Sequence, residues 1–161
     1  MPIIDIITLP NPILRKKAVD VKLEEIPGLK KFISSMEKTM LQKDGIGLAA
    51  NQVNSLKRII TINTKDGPLC LINPKIYYKS FKKEDGEEGC LSIPGIFGYV
   101  KRHLSLRLYA YDKNGQKIKI KAKGLLARVM QHEVDHLNGI LFIDRAKKYS
   151  KGKKPDDTKS L

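Results

Sequence analysis

The chain has 161 residues, 41% hydrophobic and 30% charged, which is typical of one globular domain with its own core. No apolar run is long enough to cross a bilayer, and the two cysteines are too few for a disulfide framework. The net charge of +14 favours anionic partners, of which nucleic acid is the commonest.

The first half of the chain predicts one helix and two strands. Residues 1–17 are apolar but are interrupted by prolines and lack a basic leader, so we expect no signal or transit peptide, no membrane contact and a cytoplasmic location. Apolar residues at helical spacing predict a helix over 26–43. After the glycine-rich GIGLAANQ, 45–52, β-branched and apolar residues predict strands at 58–63 and 69–73.

The second half predicts further strands and a second helix. Residues 75–89 predict a strand leading into a charged loop, and the alternation over 103–112 predicts another strand. Asn-Gly at 114–115 predicts a hairpin that joins this strand to 117–122. Residues 124–139 predict a largely buried helix that ends at a glycine cap. We therefore expect an α+β fold in which mostly antiparallel sheets pack around this helix, with an additional N-terminal helix.

Positive charge is concentrated in two segments. In KIKIKAK, 117–123, the four lysines share one face of the predicted strand, and the segment 147–161 holds six lysines against two aspartates. One interpretation is a solvated edge strand, where lysines discourage aggregation. The other is electrostatic contact with an RNA-rich surface. No RNA-binding motif or aromatic platform is evident, so sequence-specific recognition of nucleic acid is not expected. The polar, basic composition of 149–161 predicts a disordered tail after a single domain, 1–148.

The segment QHEVDHLNG, 131–139, contains the strongest chemical signal. On a helix, His132 and His136 share a face and can bind one metal ion, while Glu133 stands beside them as a general base. Leu125 and Val129 precede the first histidine on the same face. They predict an apolar pocket beside the metal, suited to an aliphatic or thioether side chain.

The third metal ligand has three candidates, namely His103, an acidic residue or a cysteine. His103 lies in a predicted strand, where a lone histidine is commonly structural. Cys90 follows a glycine in EEGCLSIPG, and that glycine lets the backbone approach a site closely. Cys70 is flanked by apolar residues, which predicts an inert core thiol.

Three motifs together carry a more specific signal than the histidine pair alone. GIGLAANQ, EEGCLS and QHEVDH, in this order, resemble the peptide deformylase family of the compact bacterial type, from about Ile3 to Lys148. The resemblance implies that Cys90, His132 and His136 bind one divalent metal ion. Ferrous iron is then the expected native ion, and zinc is the alternative. Asn51 and Asn54 depart from residues common in the family, and the final segment is shorter than the helix that ends many members.

The resemblance also implies an activity and a mechanism. The family hydrolyses the formyl group from the N-formylmethionine of nascent polypeptides and releases formate. The metal lowers the pKa of its water, and the resulting hydroxide attacks the formyl carbon. Glu133 would take the proton and deliver it to the leaving amine. The Gln52 side chain and the Leu91 backbone N–H would stabilise the oxyanion.

Two further sets of residues come from the same resemblance. The first set would contact the substrate and comprises Ile46, Gly47, Gly89, Leu125, Arg128 and Val129. The second would support the metal ligands and comprises Glu88, Arg102 and Asp135. In that second set, a Glu–Arg pair is expected to hold the loop that carries the cysteine ligand.

Three rival hypotheses stand beside this one. A zinc endopeptidase would need a third His or Glu ligand and would cut internal peptide bonds. An RNA-associated protein would use the positive charge and would hold its metal in a closed site of four protein ligands. An inactive homologue is disfavoured, because Gln52, Cys90 and all three residues of the HExxH motif are present.

Overall fold

The computed structural model describes residues 2–156, which form two α-helices and eight β-strands. The helices are α1 (Lys30–Gln42) and α2 (Leu125–Leu137), and the strands are β1 (Gly47–Ala49), β2 (Ile59–Thr64), β3 (Gly67–Lys79), β4 (Lys83–Cys90), β5 (Ile93–His103), β6 (Ser105–Tyr111), β7 (Lys117–Lys123) and β8 (Lys148–Lys151). A five-stranded sheet has the order β1-β2-β3-β6-β7, and a three-stranded sheet has the order β4-β5-β8. All strand pairs are antiparallel, which confirms the predicted mixture of helices and antiparallel sheets.

The first helix, α1, packs on one face of the larger sheet. Its buried residues Ile33, Met36 and Met40 share one face at helical spacing and join a core cluster with side chains of β1, β2 and β3. The prediction placed the start of this helix too early, because Leu23–Leu29 is a 3₁₀-helix that contains Pro27. A proline lacks the N–H that a helix interior requires, so the α-helical hydrogen bonds begin only after it.

The second helix, α2, packs on the opposite face of the same sheet. Its residues Ala127, Met130 and Leu137 share a core cluster with Ile60 and Leu108 of the sheet. The HExxH segment lies on this helix, and most of its side chains are buried there. Helix α2 therefore places the two histidines inside the protein, between the two sheets and close to the end of β4.

The charged segment after β3 differs from its prediction. Residues 83–90 form strand β4, although their composition predicted a loop. Pairing with β5, which the sequence did not predict because Pro94 and glycines interrupt it, supplies the backbone hydrogen bonds. Strand β3 is also longer than predicted and continues through Pro74, because a register shift between Ile72 and Lys75 leaves this proline outside the ladder.

The hairpin of β6 and β7 agrees with its prediction. Seven residue pairs join the strands, from Ser105 with Lys123 to Tyr111 with Lys117, and β7 is an edge strand of the larger sheet. All four lysines of β7 are exposed, while Ala122 on the other face is buried. The lysines therefore lie on an exposed edge strand, as both interpretations of this segment require.

The carboxyl end of the described chain corrects the predicted disordered tail in part. Residues 149–151 belong to β8, which pairs with β5 and places Tyr149 against a core cluster that includes Phe142. This apolar contact gives the segment an ordered partner that its basic composition does not indicate. The remainder of the predicted tail from 157 onward lies outside the described residues. Neither α1 nor α2 is long and apolar enough to span a bilayer.

Candidate active site

Three side chains with metal-binding atoms converge between β4 and α2. Cys90 ends β4, and its Sγ lies 3.3 Å from Nε2 of His136. The ligand atoms of Cys90, His132 and His136 all lie within 4.8 Å of one another, and this group has no fourth member among residues 2–156. Ligands about 2.0–2.3 Å from an ion in tetrahedral directions are roughly 3.3–3.8 Å apart. The donor set therefore fits one divalent ion and leaves a coordination position open, as in catalytic sites.

The other candidates for the third ligand lie in structural roles. The Nδ1 atom of His103 is 2.6 Å from the Ser80 carbonyl oxygen, and its backbone N–H donates to Gln131. Cys70 is buried in the α1 cluster, and burial raises the pKa of its thiol to about 12. A thiol with such a pKa is not a nucleophile near neutrality, as the sequence predicted for this cysteine.

A buried carboxylate orients the first histidine. Nδ1 of His132 lies 2.8 Å from Glu88, and Arg102 donates two hydrogen bonds of 2.9 Å to the same carboxylate. Burial disfavours the charged carboxylate, but the hydrogen bonds from Arg102 and His132 outweigh it and hold the pKa of Glu88 well below its usual range. His132 therefore donates through Nδ1 and keeps Nε2 free for the ligand cluster.

The charged network around Glu88 includes further arginine and aspartate side chains. Arg102 donates a 2.6 Å hydrogen bond to Asp135, and Arg145 donates two to the same carboxylate, at 2.7 and 3.0 Å. Arg145 was not predicted from the sequence, because it lies beyond α2 in a segment with no regular spacing. Arg128, which was predicted to contact the substrate, also belongs to this network, because its guanidinium donates to Glu88 at 2.8 Å and to backbone carbonyls of β4 and β5. The network thus ties β4, β5 and α2 together behind the ligand cluster.

Glu133 is a buried carboxylate beside the ligand cluster. Its Oε2 lies 4.0 Å from Nε2 of His132, and its Oε1 has no hydrogen-bond partner among the described residues. Burial raises the pKa of Glu133 to about 7. A carboxyl group with a pKa near neutrality and an unused oxygen is suited to accept and return a proton.

The Gln52 side chain has a defined orientation. Its Oε1 accepts the Ala49 backbone N–H at 2.9 Å, so the amide group points its Nε2 toward Ser92 Oγ, at 3.0 Å, and Cys90 Sγ, at 3.4 Å. The donor end of the amide therefore faces the ligand cluster. Ser92 was not predicted as a site residue, although its position two residues after Cys90 is a signal within the same motif. Leu91 lies between these two residues and lines the adjacent cavity.

A cavity of about 420 Å³ opens beside the ligand cluster. The residues predicted to contact the substrate all line it, namely Ile46, Gly47, Gly89, Leu125, Arg128 and Val129. Ile46 and Leu125 form its exposed rim, whereas Val129 is buried. Phe97 also lines the cavity, and the prediction missed it because β5 was not recognised.

Two glycines of the cavity are required by close packing. A Cβ at Gly47 would lie 2.6 Å from Glu133 Oε2 and 2.9 Å from Val129 Cγ1. A Cβ at Gly89 would lie 2.7 Å from Cδ1 of the Phe97 ring. These positions therefore admit only glycine without a shift of the neighbouring side chain or backbone.

Three protein ligands around an open cavity define the catalytic class of metal site. The family model described as polypeptide deformylase matches residues 3–152. A peptide deformylase of Desulfitobacterium hafniense is 46% identical, and the match covers 94% of this chain and 99% of the relative. A peptide deformylase of Syntrophomonas wolfei is 47% identical, and the match covers 91% of this chain and 95% of the relative. The chain belongs to the polypeptide deformylase family, whose members are metal-dependent hydrolases that act on formylated nascent peptides.

Solved structures show the same relationship. The crystal structure of a peptide deformylase from Thermotoga maritima has a TM-score of 0.87 and is 40% identical, with 91% of this chain and 99% of that one covered. A Synechococcus elongatus peptide deformylase in complex with actinonin has a TM-score of 0.86 at 43% identity, and the match covers 92% of this chain and 81% of that one. The predicted family is therefore confirmed, and with it a metal-dependent hydrolase.

Proposed function

We propose that this protein removes the formyl group from N-formylmethionyl peptides at the Cys90–His132–His136 cluster, with Glu133 as general base and acid. The observation that carries the proposal is the juxtaposition of this cluster with a buried carboxylate, one oxygen of which has no hydrogen-bond partner among residues 2–156, at the end of an apolar cavity. A divalent ion held by these three side chains would supply Lewis-acid chemistry that makes water a better nucleophile near neutral pH. The remaining steps belong to the side chains around it.

Glu133 moves the protons of the reaction. Its carboxylate accepts the proton of the attacking water and then delivers it to the amine that leaves when the formyl C–N bond breaks. Such proton transfer is typically worth about 10²–10⁴ in rate. Water enters from the cavity side, while the buried position of Glu133 keeps bulk solvent from competing for the proton.

The Gln52 amide and the Leu91 backbone N–H stabilise the developing oxyanion. The amide is held in place by its own hydrogen bonds to Ala49 and Ser92, so little reorganisation is needed during reaction. An amide donor is neutral at every pH at which the protein is folded. Its contribution is therefore independent of the protonation state of Glu133.

The substrate lies between the two sheets. Strand β1 is an edge strand of the larger sheet and β4 is an edge strand of the smaller one, and both border the cavity. Backbone groups at Gly47 and Gly89 bind an extended peptide by strand addition. The methionine side chain occupies the apolar pocket between Ile46, Leu125 and Val129, in which an unbranched thioether fits well.

Glu88, Arg102 and Asp135 hold the ligand cluster in place. Glu88 fixes the tautomer of His132, and the arginine links this carboxylate to Asp135 on α2. We propose Fe²⁺ as the native ion, with Zn²⁺ able to occupy the same ligands, because two imidazoles and a thiolate suit both. Metal content and the loss of activity in air distinguish the two ions, because a thiolate-bound ferrous site is labile to oxygen.

The experiment that tests this function separates it from endopeptidase activity. Anaerobically purified protein is incubated with a formyl-Met tripeptide and, separately, with a longer unblocked peptide. Formate release from the first, without cleavage of an internal bond in the second, is the expected result. Internal cleavage without formate would contradict the proposal and favour an endopeptidase. Hydrolysis of neither by fully metal-loaded protein would favour a structural metal.

We further propose that the protein works in the cytoplasm and contacts the ribosome through its positive charge, since its substrates emerge at an RNA-rich surface. Co-sedimentation with ribosomes should then fall as salt rises. Lys→Glu changes in 117–123 should weaken it. A truncation for this test should begin after Gly152, because the preceding strand β8 is part of the fold.

A further inference from the structure

The part of the larger sheet that extends beyond α1 carries aromatic and cationic side chains together. We define the tyrosine–lysine face by seven residues of β3, β6 and β7, namely Tyr77, Tyr78, Arg107, Tyr109, Lys117, Lys119 and Lys121. Tyr109 is paired with Lys119, and Arg107 with Lys121. Because side chains alternate along a strand, these residues lie opposite to the buried Leu106 and Leu108. They point away from the core that α2 covers.

The tyrosines are arranged as one surface. The rings of Tyr77 and Tyr109 are 5.8 Å apart, the Arg107 guanidinium lies 5.2 Å from the centre of Tyr78, and the Lys117 ammonium lies 4.5 Å from the centre of Tyr109. A register shift between Ile76 and Tyr78 allows two consecutive tyrosines to contact residues of the same face. Tyr77 and Tyr78 are each 49% exposed, so a ligand can reach part of each side chain, while Arg107 covers one face of the Tyr78 ring.

The positive charge of this face is not neutralised within the fold. On this side of β6 and β7 the residues are Arg107, Tyr109 and the four lysines, with Ser105 at one end and Tyr111 packed against the α1 core cluster at the other, and none of them is acidic. The ion pairs found among residues 2–156 include none of these lysines. Two acidic residues near the margin of the face do not form ion pairs with these lysines. Asp112 accepts the backbone N–H groups of its own turn, and Glu37 belongs to α1. The face therefore favours a polyanion.

We infer that the tyrosine–lysine face binds single-stranded RNA, with bases stacked on the tyrosines and phosphates contacted by the lysines. Exposed rings on an open sheet with cations around them are the combination that binds single strands, because every base offers a π-face. A membrane surface is a poorer fit, since the outward positions of β6 and β7 hold no aliphatic side chain to insert. This inference does not depend on deformylation. The tyrosine–lysine face was not predicted from the sequence, because Tyr77 and Tyr109 become neighbours only through strand pairing.

The charge contribution is tested by salt dependence. Binding of fluorescein-labelled oligouridine to the metal-loaded full chain is followed by fluorescence anisotropy over a series of salt concentrations. Each phosphate contact adds roughly 0.7 to the slope for a single strand, so Lys119→Glu with Lys121→Glu should lower the slope by about 1.4. The matched control is Lys16→Glu with Lys17→Glu, which makes the same charge change at two exposed lysines beside the end of α2. An equal effect of both pairs would overturn the assignment to this face.

The stacking contribution is tested by removing the rings without changing the charge. Tyr77→Ala with Tyr78→Ala removes two stacking rings and should weaken oligouridine binding by about 30-fold or more, whereas the corresponding Phe variants should retain it, since a phenyl ring also stacks. Heparin, a polyanion without bases, should bind all of these variants and the wild type alike. Equal loss of heparin and RNA binding, or RNA binding that is unaffected by alanine, would overturn the inference. So would the absence of oligouridine binding by the wild-type protein, or a preference for anionic lipid vesicles over RNA.

Discussion

Replacing Gly47 with alanine should displace the proposed general base by a distance that the structure defines. The new Cβ would lie 2.6 Å from Oε2 and 2.8 Å from Cγ of Glu133. The optimal separation of non-bonded heavy atoms is about 3.5–4.0 Å, so the carboxylate must move by roughly 1 Å. A misplacement of about 1 Å can cost roughly 10²-fold in rate. Overpacking of this kind typically costs about 1–3 kcal/mol in unfolding free energy.

The assay is kcat/KM for formate release, with urea unfolding and metal content measured on the same preparation. Gly28→Ala is the matched control, because a Cβ there meets nothing within 4 Å. We expect Gly47→Ala to lose about two orders of magnitude in kcat/KM while it stays folded and binds metal. Wild-type activity in Gly47→Ala would show that β1 or the carboxylate moves freely, and would refute the requirement for close packing at this position.

Three further predictions concern stability and reactivity. Cys70 should resist iodoacetamide in the native protein and react only after unfolding, as mass spectrometry would show, because burial raises the pKa of its thiol to about 12. Arg102→Met should lower the unfolding free energy by about 3–5 kcal/mol in urea titrations, since Glu88 would lose a buried charged partner; a change below about 1 kcal/mol would contradict a structural role. Asp144→Asn should lower the melting temperature near neutral pH only. The hydrogen bond from Arg15 outweighs burial and lowers the pKa of Asp144, so its stabilisation is present above the unfolded pKa of about 3.9 and is lost as pH falls through the lower folded value. A difference that persists in acid would contradict this assignment.

The elements that follow local patterns were predictable from sequence. Alternation and the Asn-Gly turn located β6 and β7, and helical spacing located α2 with its two histidines on one face. In both cases the signal lies in adjacent residues, and the surrounding fold agrees with it.

The elements that depend on distant partners were not predictable. Strand β4 is rich in charged residues, and only its pairing with β5 makes it a strand. Strand β8 is likewise ordered by a partner on β5 and by the burial of Tyr149 against a distant cluster. Propensity cannot reveal such strands, because strand formation there is decided by tertiary contacts.

The candidate site shows the same division. The histidine pair and Glu133 were evident from spacing. The glycine before Cys90 made this cysteine a candidate, but its assignment as the third ligand came from resemblance to a family. Arg145 and Ser92 were missed altogether. Both act through side-chain contacts across elements, with Asp135 and Gln52 respectively, and neither contact leaves a periodic signal.

The most direct test of the proposed mechanism is the rate of formate release by Glu133→Gln in fully metal-loaded form. Glutamine keeps the size of the side chain and removes its capacity to accept a proton. The matched control is Glu87→Gln, because Glu87 lines the same cavity but is exposed and accepts a hydrogen bond from the Ser150 hydroxyl. We expect kcat to fall by about 10²–10⁴ in Glu133→Gln and to remain near wild type in the control. An unchanged kcat in Glu133→Gln, or an equal fall in both variants, would contradict the role of Glu133 in proton transfer.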